Sequence, residues 1–321
     1  YINNTDEKAI VTTTLEVENE GKVEQSSEAK LTNSGLITKS DIESFKPLTI
    51  EGITTDSRLK GRVSVQISHP DFSDTYNRKF VISGDLVTSG LVGWWPLGDT
   101  DGSPTPDISG NNNDGSLNGG VTQGASGKGG LLGHRFDSNS YVSIPNGLME
   151  DLPAITLTAW VKPRTTSFSN DKGIITEGYD GTIVPPELGV NTRGDGTSVY
   201  HIGYYNNTGD GWTEAKTSDE LTADEWHFLA GSYDQDKLRL YVDGSLVDST
   251  NLDIGRTPSV STDARIGSRD QNGNDFGFLG TIVDARIYDR KLTPLEIQSI
   301  YDLGENGDSL QQSIEEYKSN R

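Results

Sequence analysis

The side chains in this sequence best suited to chemistry are aromatic rings set among amides and carboxylates. Tyr179, Tyr204, Tyr205 and Trp212 lie in one loop-rich stretch, with Asn206, Asn207 and Asp210 between them. Aromatic faces suit the C–H surface of a sugar and planar polar groups suit its hydroxyls, so this segment is a candidate ligand site. Cross-strand packing is the alternative for the tyrosines. Trp212 has neighbours Gly211, Thr213 and Glu214, and so no apolar partner in sequence. A second group is acidic: Asp99, Asp101, Asp107, Asn113 and Asp114 crowd a Gly-rich loop. Hard oxygen ligands on a flexible loop suit Ca²⁺, with Asp107, Asn113 and Asp99 as the candidate ligands. The alternative is an Asn/Asp/Gly turn capped by its own side chains. Arg193-Gly194-Asp195 has the form of an integrin-type adhesive tripeptide, which also arises by chance in Gly/Asp-rich loops.

Nothing comparable points to catalysis. His69, His134, His201 and His227 are scattered, and no Gly-x-Ser-x-Gly elbow, HExxH motif or phosphate loop occurs. There is no Cys, which rules out disulfides and thiol chemistry. The net charge of -21 argues against nucleic acid and anionic membranes as partners and fits an extracellular or high-salt setting. No apolar run approaches a membrane span, so no direct insertion is expected. The chain begins at Tyr1 and carries the sequons Asn3-Asn4-Thr5 and Asn206-Asn207-Thr208, as a processed surface protein would.

A length of 321 residues accommodates two domains. In residues 1–88, Thr13, Leu15 and Val17 alternate with polar residues, as do Val63, Val65 and Ile67. Phe80 to Ile82 makes a further short strand, and Gly, Asn and Pro punctuate the rest. This spacing suggests a small β-sandwich of immunoglobulin-like kind, serving as a stalk, docking module or spacer. Ser83-Gly84-Asp85 and Thr88-Ser89-Gly90 mark the boundary. Beyond it, Ile155, Leu157, Ala159 and Val161 alternate with Thr156, Thr158, Trp160 and Lys162. In residues 226–247, Leu238, Leu240 and Val242 alternate before an Asp243-Gly244 hairpin turn. Thr293, Pro294 and Glu296 open a helix with a capping box, stapled by Leu292 and Ile297. Residues 304–321 form a polar tail in which Leu310, Ile314 and Tyr317 share one helical face, either packed or frayed.

Several of these stretches carry a family likeness. WHFLAGSYDQDKLRLYVDGSLV resembles the signature hairpin of the laminin-G-like, concanavalin-A-like jelly rolls. LVGWWPLGDT, PDISGNNNDGSLNGGV, HRFDSNSYVSIPN, ITLTAWVKP and FLGTIVDARIYDRKLTPLEIQSIY are similar to its other blocks, in the family's order, across residues 91–301. The resemblance implies a jelly roll of two packed antiparallel sheets, with Trp160 and Trp226 in core positions and His227 structural. It also implies one Ca²⁺ held between the Asp107 loop and an acidic residue of the closing strand. Here that acidic position is Val283, and Asp284, one residue on, is expected to point to the opposite face. Glycoside hydrolases of the superfamily carry paired carboxylates at Glu-x-Asp-x-Glu spacing on a central strand. The nearest string, Glu16-Val17-Glu18-Asn19-Glu20, lies in the other domain.

The sequence thus predicts an all-β protein: a small β-sandwich (1–88), a laminin-G-like jelly roll (89–303) and a tail (304–321). Its expected role is non-catalytic recognition or adhesion at an extracellular, cell or virion surface, binding a glycan or surface protein. The competing role is a structural, homo-oligomeric subunit of an appendage, wall layer or virion; a glycoside hydrolase is a distant third.

Overall fold

The structure, a computed structural model, describes residues 8–17, 21–30, 59–69, 72–82 and 87–319, apart from 103, 179–181, 208, 210, 261–263, 270–275 and 306. The chain divides into two compact units, Tyr1–Leu86 and Val87–Arg321. In the first, strands β1 (Lys8–Val17), β2 (Gly21–Lys30), β3 (Leu59–His69) and β4 (Phe72–Ile82) make one antiparallel sheet in the order β2-β1-β3-β4. The alternating segments read from the sequence fall in β1, β3 and β4. Among the described residues of this unit all four strands belong to that single sheet.

The second unit continues with β5 (Leu91–Trp95), β6 (Ser116–Asn118), β7 (Thr122–Ser126), β8 (Leu132–Phe136), β9 (Tyr141–Ile144), β10 (Ile155–Pro163) and β11 (Lys172–Thr176). Then follow β12 (Ile183–Thr192), β13 (Ser198–Asn206), β14 (Gly211–Lys216), β15 (His227–Tyr233), β16 (Lys237–Val242), β17 (Ser245–Asn251), β18 (Ala264–Ile266) and β19 (Gly280–Tyr288). One sheet runs β17-β16-β15-β10-β19-β8-β7, with β5 added on β19; the other runs β14-β13-β12-β11-β18-β9-β6. Their inner faces meet over Trp95, Leu157, Ile175, Leu188, Ile202, Leu229, Leu240 and Ile287, all fully buried. Two antiparallel sheets packed face to face make the expected jelly roll.

The expected alternation on β10 holds, since Ile155, Leu157, Ala159 and Val161 all enter the core. The other face of β10 is equally dry. Helices α1 (Pro294–Glu305) and α2 (Gly307–Ser319) pack outside this sheet, and Trp160 stacks on Tyr301 of α1 with ring centroids 5.5 Å apart. Trp160 is therefore buried beneath a helix rather than between the sheets. Trp226, expected in the core, instead precedes β15 and stays half-exposed. At the β16–β17 turn Asp243 and Gly244 take φ of 50° and 77°, the left-handed pair that a two-residue hairpin loop needs. Asp243 Oδ1 also accepts the Phe228 N–H (2.9 Å) and its Oδ2 lies 2.9 Å from His227 Nδ1, which gives His227 its structural role.

The capping box forms as its spacing requires. Thr293 N–H donates to Glu296 Oε2 (2.9 Å) and Glu296 N–H donates to Thr293 Oγ1 (3.2 Å). Burial would raise the Glu296 carboxyl, but Arg290 and the Thr293 N–H outweigh it and hold it at about 2. Replacing Thr293 by Ala should cost about 1 kcal/mol, measurable as a lowered midpoint in urea; an unchanged midpoint would show the cap to be idle. The tail is packed: Leu310 and Ile314 of α2 are buried, and Tyr317 lies 5.1 Å from the Trp94 ring while donating to Ser109 O at 3.2 Å. Among the described residues no helix is long and apolar enough to cross a membrane.

Candidate functional site

The helices cover only one sheet. On the outer face of the other, strands β12, β13 and β14 lay their side chains out in rungs. Val184, Tyr205 and Trp212 pair in register across the three strands; Glu187, Gly203 and Glu214 form the next rung, and Gly189, His201 and Lys216 the one after. Strict alternation would put Val184 and Glu187 on opposite faces, since they are three residues apart. The ladder slips by one residue between them, at Pro185-Pro186, where the prolines have no N–H to offer a neighbour. That bulge brings both side chains to the same face.

The second and third rungs are a polar floor in which Glu187 and His201 are buried. His201 is fully buried, with Nδ1 3.2 Å from Glu214 Oε2 and Nε2 3.8 Å from Glu187 Oε1. The imidazole lies flat because glycines flank it: a Cβ at Gly203 would sit 2.8 Å from His201 Nδ1, and one at Gly189 3.2 Å from Nε2. Glu187, also fully buried, receives both Nε (2.8 Å) and Nη2 of Arg269 in a bidentate pair. Glu214 takes Lys216 Nζ as well. Burial would raise the Glu214 carboxyl, yet His201 and Lys216 hold it down at about 2.

Above this floor lies an aromatic wall. The Tyr205 and Trp212 rings are 5.3 Å apart at 45°, and the Arg269 guanidinium lies over the Trp212 ring at 4.9 Å. They border a cavity of about 460 Å³, completed by Ser169, Asn170, Asp171, Val184, Thr192, Arg193 and Phe276. Its size, the half-exposed aromatic rings and its few fixed polar groups are those of a small-ligand cleft. Trp212, with no apolar neighbour in sequence, has its packing supplied by Tyr205 and Arg269.

The other residues expected at a ligand site are placed elsewhere. Tyr204 belongs to the core between the sheets, because adjacent strand residues face opposite ways. Asn206, on the same side as Tyr204, donates Nδ2–H to its hydroxyl at 3.4 Å. Tyr179 lies outside the described residues. Asp171, Glu187, His201, Glu214 and Arg269 were not singled out in the sequence. A lone Glu187 inside an apolar strand and a lone His201 in the next were the available signals.

Arg193-Gly194-Asp195 sits on the β12–β13 hairpin with both charged groups engaged internally. Arg193 Nη2 donates to Thr217 O (2.9 Å) and Ser218 O (3.0 Å), and Asp195 Oδ1 accepts Thr197 N–H (3.0 Å) and Oγ1–H (2.7 Å).

The expected calcium ligands do not converge. Asp107 Oδ1 accepts Trp94 N–H (2.9 Å) and Ser109 N–H (2.8 Å), while Oδ2 accepts Asn113 N–H (2.9 Å) and Ser109 Oγ–H (2.8 Å). Four donors occupy the carboxylate, as in a self-capped turn. Asn113 Nδ2–H donates to Val92 O at 2.9 Å. Asp99 instead contacts Gln123 and His134, the latter at 3.2 Å. Among the described residues no three acidic, His or Cys side chains gather as a metal would need. Nor does Asp284 point away from Val283. A bulge at Asp284, which takes φ of 57°, sets both on the side facing α2: Val283 lines one cleft with Ile314, and Asp284 bonds the Trp94 indole that Tyr317 packs against.

Glu177, behind β11, shows the reverse electrostatics. Burial, with the nearby Glu150 carboxylate, pushes its carboxyl up to about 7 although it accepts the Gly147 N–H at 2.6 Å. Folding therefore favours its protonated form, and the stability this contributes is complete below about 4.5 and lost as pH rises through about 7. Between pH 5 and 8 the melting temperature of the wild type should fall relative to that of Glu177→Gln, whose amide stays neutral throughout. Parallel melting curves for the two would refute the assignment.

A family model described as the concanavalin A-like lectin/glucanases superfamily, Laminin_G_3, matches residues 136–298. The chain belongs to this laminin-G-like family. A search of curated proteins returns no match. Among solved structures, the laminin-G-like chain is similar to domain 4 of AbnA, a GH43 extracellular arabinanase from Geobacillus stearothermophilus, in complex with arabinotriose. Identity is 20% and the TM-score 0.53, over 66% of this chain and 98% of that one. It is also similar to the binding domain of Paraclostridial Mosquitocidal Protein 1, at 19% identity and TM-score 0.51, over 66% of this chain and 52% of that one. The binding domain of botulinum neurotoxin DC in complex with SialylT matches at 13% identity and TM-score 0.50, over 68% and 52%. At these identities the likeness is one of fold.

Proposed function

We propose that the laminin-G-like unit is a non-catalytic carbohydrate-recognition domain of an extracellular or surface protein. The observation that carries this reading is the Tyr205–Trp212 wall, half-exposed above a buried Arg269–Glu187 pair at the rim of the 460 Å³ cavity. Aromatic faces with fixed polar partners are how proteins hold sugar rings. One solved structure of the same fold, matched over 98% of its length, is in complex with arabinotriose and supports the reading.

Two of the three carboxylates near the cavity, Glu187 and Glu214, are tied to cations, which supports binding rather than hydrolysis. A glycosidase needs one carboxyl protonated near neutrality and a second free to attack or activate water. Glu214 is held at about 2 by His201 and Lys216, and both oxygens of Glu187 are taken by Arg269. A glycan array probed with the full chain tests the reading: selective binding is expected, and silence across a broad panel would overturn it. As a second reading, a structural subunit of a surface assembly would bury Leu246 and Val247 of edge strand β17 and Leu295 of α1, which are 54%, 46% and 40% exposed.

A further inference from the structure

The Arg269 guanidinium is divided between the floor and the wall of the cavity. Nε and Nη2 are committed to Glu187 below. Nη1 is the nitrogen turned to Asp171, whose Oδ2 lies 3.9 Å away. That separation is too long for a direct hydrogen bond. Asp171 is anchored through its other oxygen, since Oδ1 accepts the Thr192 N–H at 2.8 Å. The wall thus offers a fixed donor and a fixed acceptor side by side, next to the Trp212 ring. The formal charges of the site also cancel: the guanidiniums of Arg193 and Arg269 are matched by the carboxylates of Asp171 and Glu187.

We infer that this cavity selects a neutral sugar through a vicinal diol. One hydroxyl donates to Asp171 Oδ2, its neighbour accepts from Arg269 Nη1, and the C–H face of the ring lies on Trp212. Two adjacent hydroxyls meet this acceptor and donor together, and each then has a charged partner held in place before binding. An acidic sugar would be repelled by the Asp171 carboxylate. The inference rests on the glycan reading of the same cavity and adds the pattern of hydroxyls recognised.

Asp171→Asn is the informative variant. Its amide oxygen must still accept from Thr192 N–H, which leaves the NH₂ where Oδ2 stood, facing the Arg269 donor. The fold is preserved while the acceptor is lost. The full chain would be titrated against immobilised arabinan, galactan, xylan and mannan, each untreated and after periodate cleavage of vicinal diols, with heparin and polygalacturonate as acidic probes. Binding to one or more untreated neutral polysaccharides, its loss after periodate, and a weakening of about tenfold or more in Asp171→Asn are expected. If Trp212→Ala abolishes binding while Asp171→Asn or periodate changes nothing, the diol inference falls and the glycan reading stands. Binding confined to the acidic probes has the same consequence. If no glycan binds the wild type, both fall.

Discussion

Replacing Asp284 by alanine is expected to lower the unfolding free energy of the laminin-G-like unit by about 3–5 kcal/mol, the largest stability effect of any single substitution discussed. Asp284 and Arg286 are both buried and form a bidentate pair, with Arg286 Nε to Oδ1 at 3.0 Å and Nη2 to Oδ2 at 2.8 Å. The same carboxylate accepts the Trp94 indole N–H at 2.6 Å. Burial works against the charge on Arg286, and Asp284, with help from Tyr288, more than restores it. Removing the carboxylate strands a guanidinium, packed 4.2 Å from the Trp94 ring, without a counter-charge. Asp284 also occupies φ of 57°, which glycine adopts at no steric cost. Asp284→Gly therefore separates the two contributions: if the ion pair dominates, the glycine variant should be nearly as unstable as the alanine one. All five Trp residues lie at or beyond Trp94, so tryptophan fluorescence in urea reports on this unit alone. A loss below about 1 kcal/mol in Asp284→Ala would contradict the assignment, because an uncompensated buried charge costs several times that.

The same position illustrates what a sequence can and cannot convey about this fold. Period-two alternation correctly sent Ile155, Leu157, Ala159 and Val161 to the core, and Asp243-Gly244 and Thr293-x-x-Glu296 specified their turn and cap through local chemistry alone. Six ordered blocks made the jelly roll readable over residues 91–301. Alternation failed at bulges. At Asp284 and at Pro185-Pro186 one extra residue shifts the face of everything beyond it, and no count of alternate residues anticipates the slip. It also failed where a second layer arrives from elsewhere in the chain, as with Trp160 beneath Tyr301. The ligand site was half legible. Trp212 stood out for its lack of apolar neighbours, and alternation could have separated Tyr204 from Tyr205. Arg269 could not be placed, because its partner Glu187 is 82 residues away and only the closed sheet brings them together.

Trp212→Ala is expected to cost at least about 2 kcal/mol of glycan affinity, roughly thirtyfold. The indole provides the exposed flat surface of the wall, and Tyr205 alone lacks the area to replace it. Its removal also uncovers the Arg269 guanidinium and the His201 ring, 4.9 Å and 6.0 Å from the Trp212 ring respectively, so a modest loss of stability accompanies the loss of binding. Trp212→Phe keeps a ring over Arg269 and should recover part of both. The most direct measurement is calorimetric titration of the full chain, wild type and Trp212→Ala, with the strongest ligand found on the array, under conditions where both proteins remain folded. The expected result is clear binding by the wild type and affinity at least thirtyfold weaker in the variant. Equal affinities for the two proteins would place the ligand elsewhere and contradict a glycan site on the Tyr205–Trp212 wall.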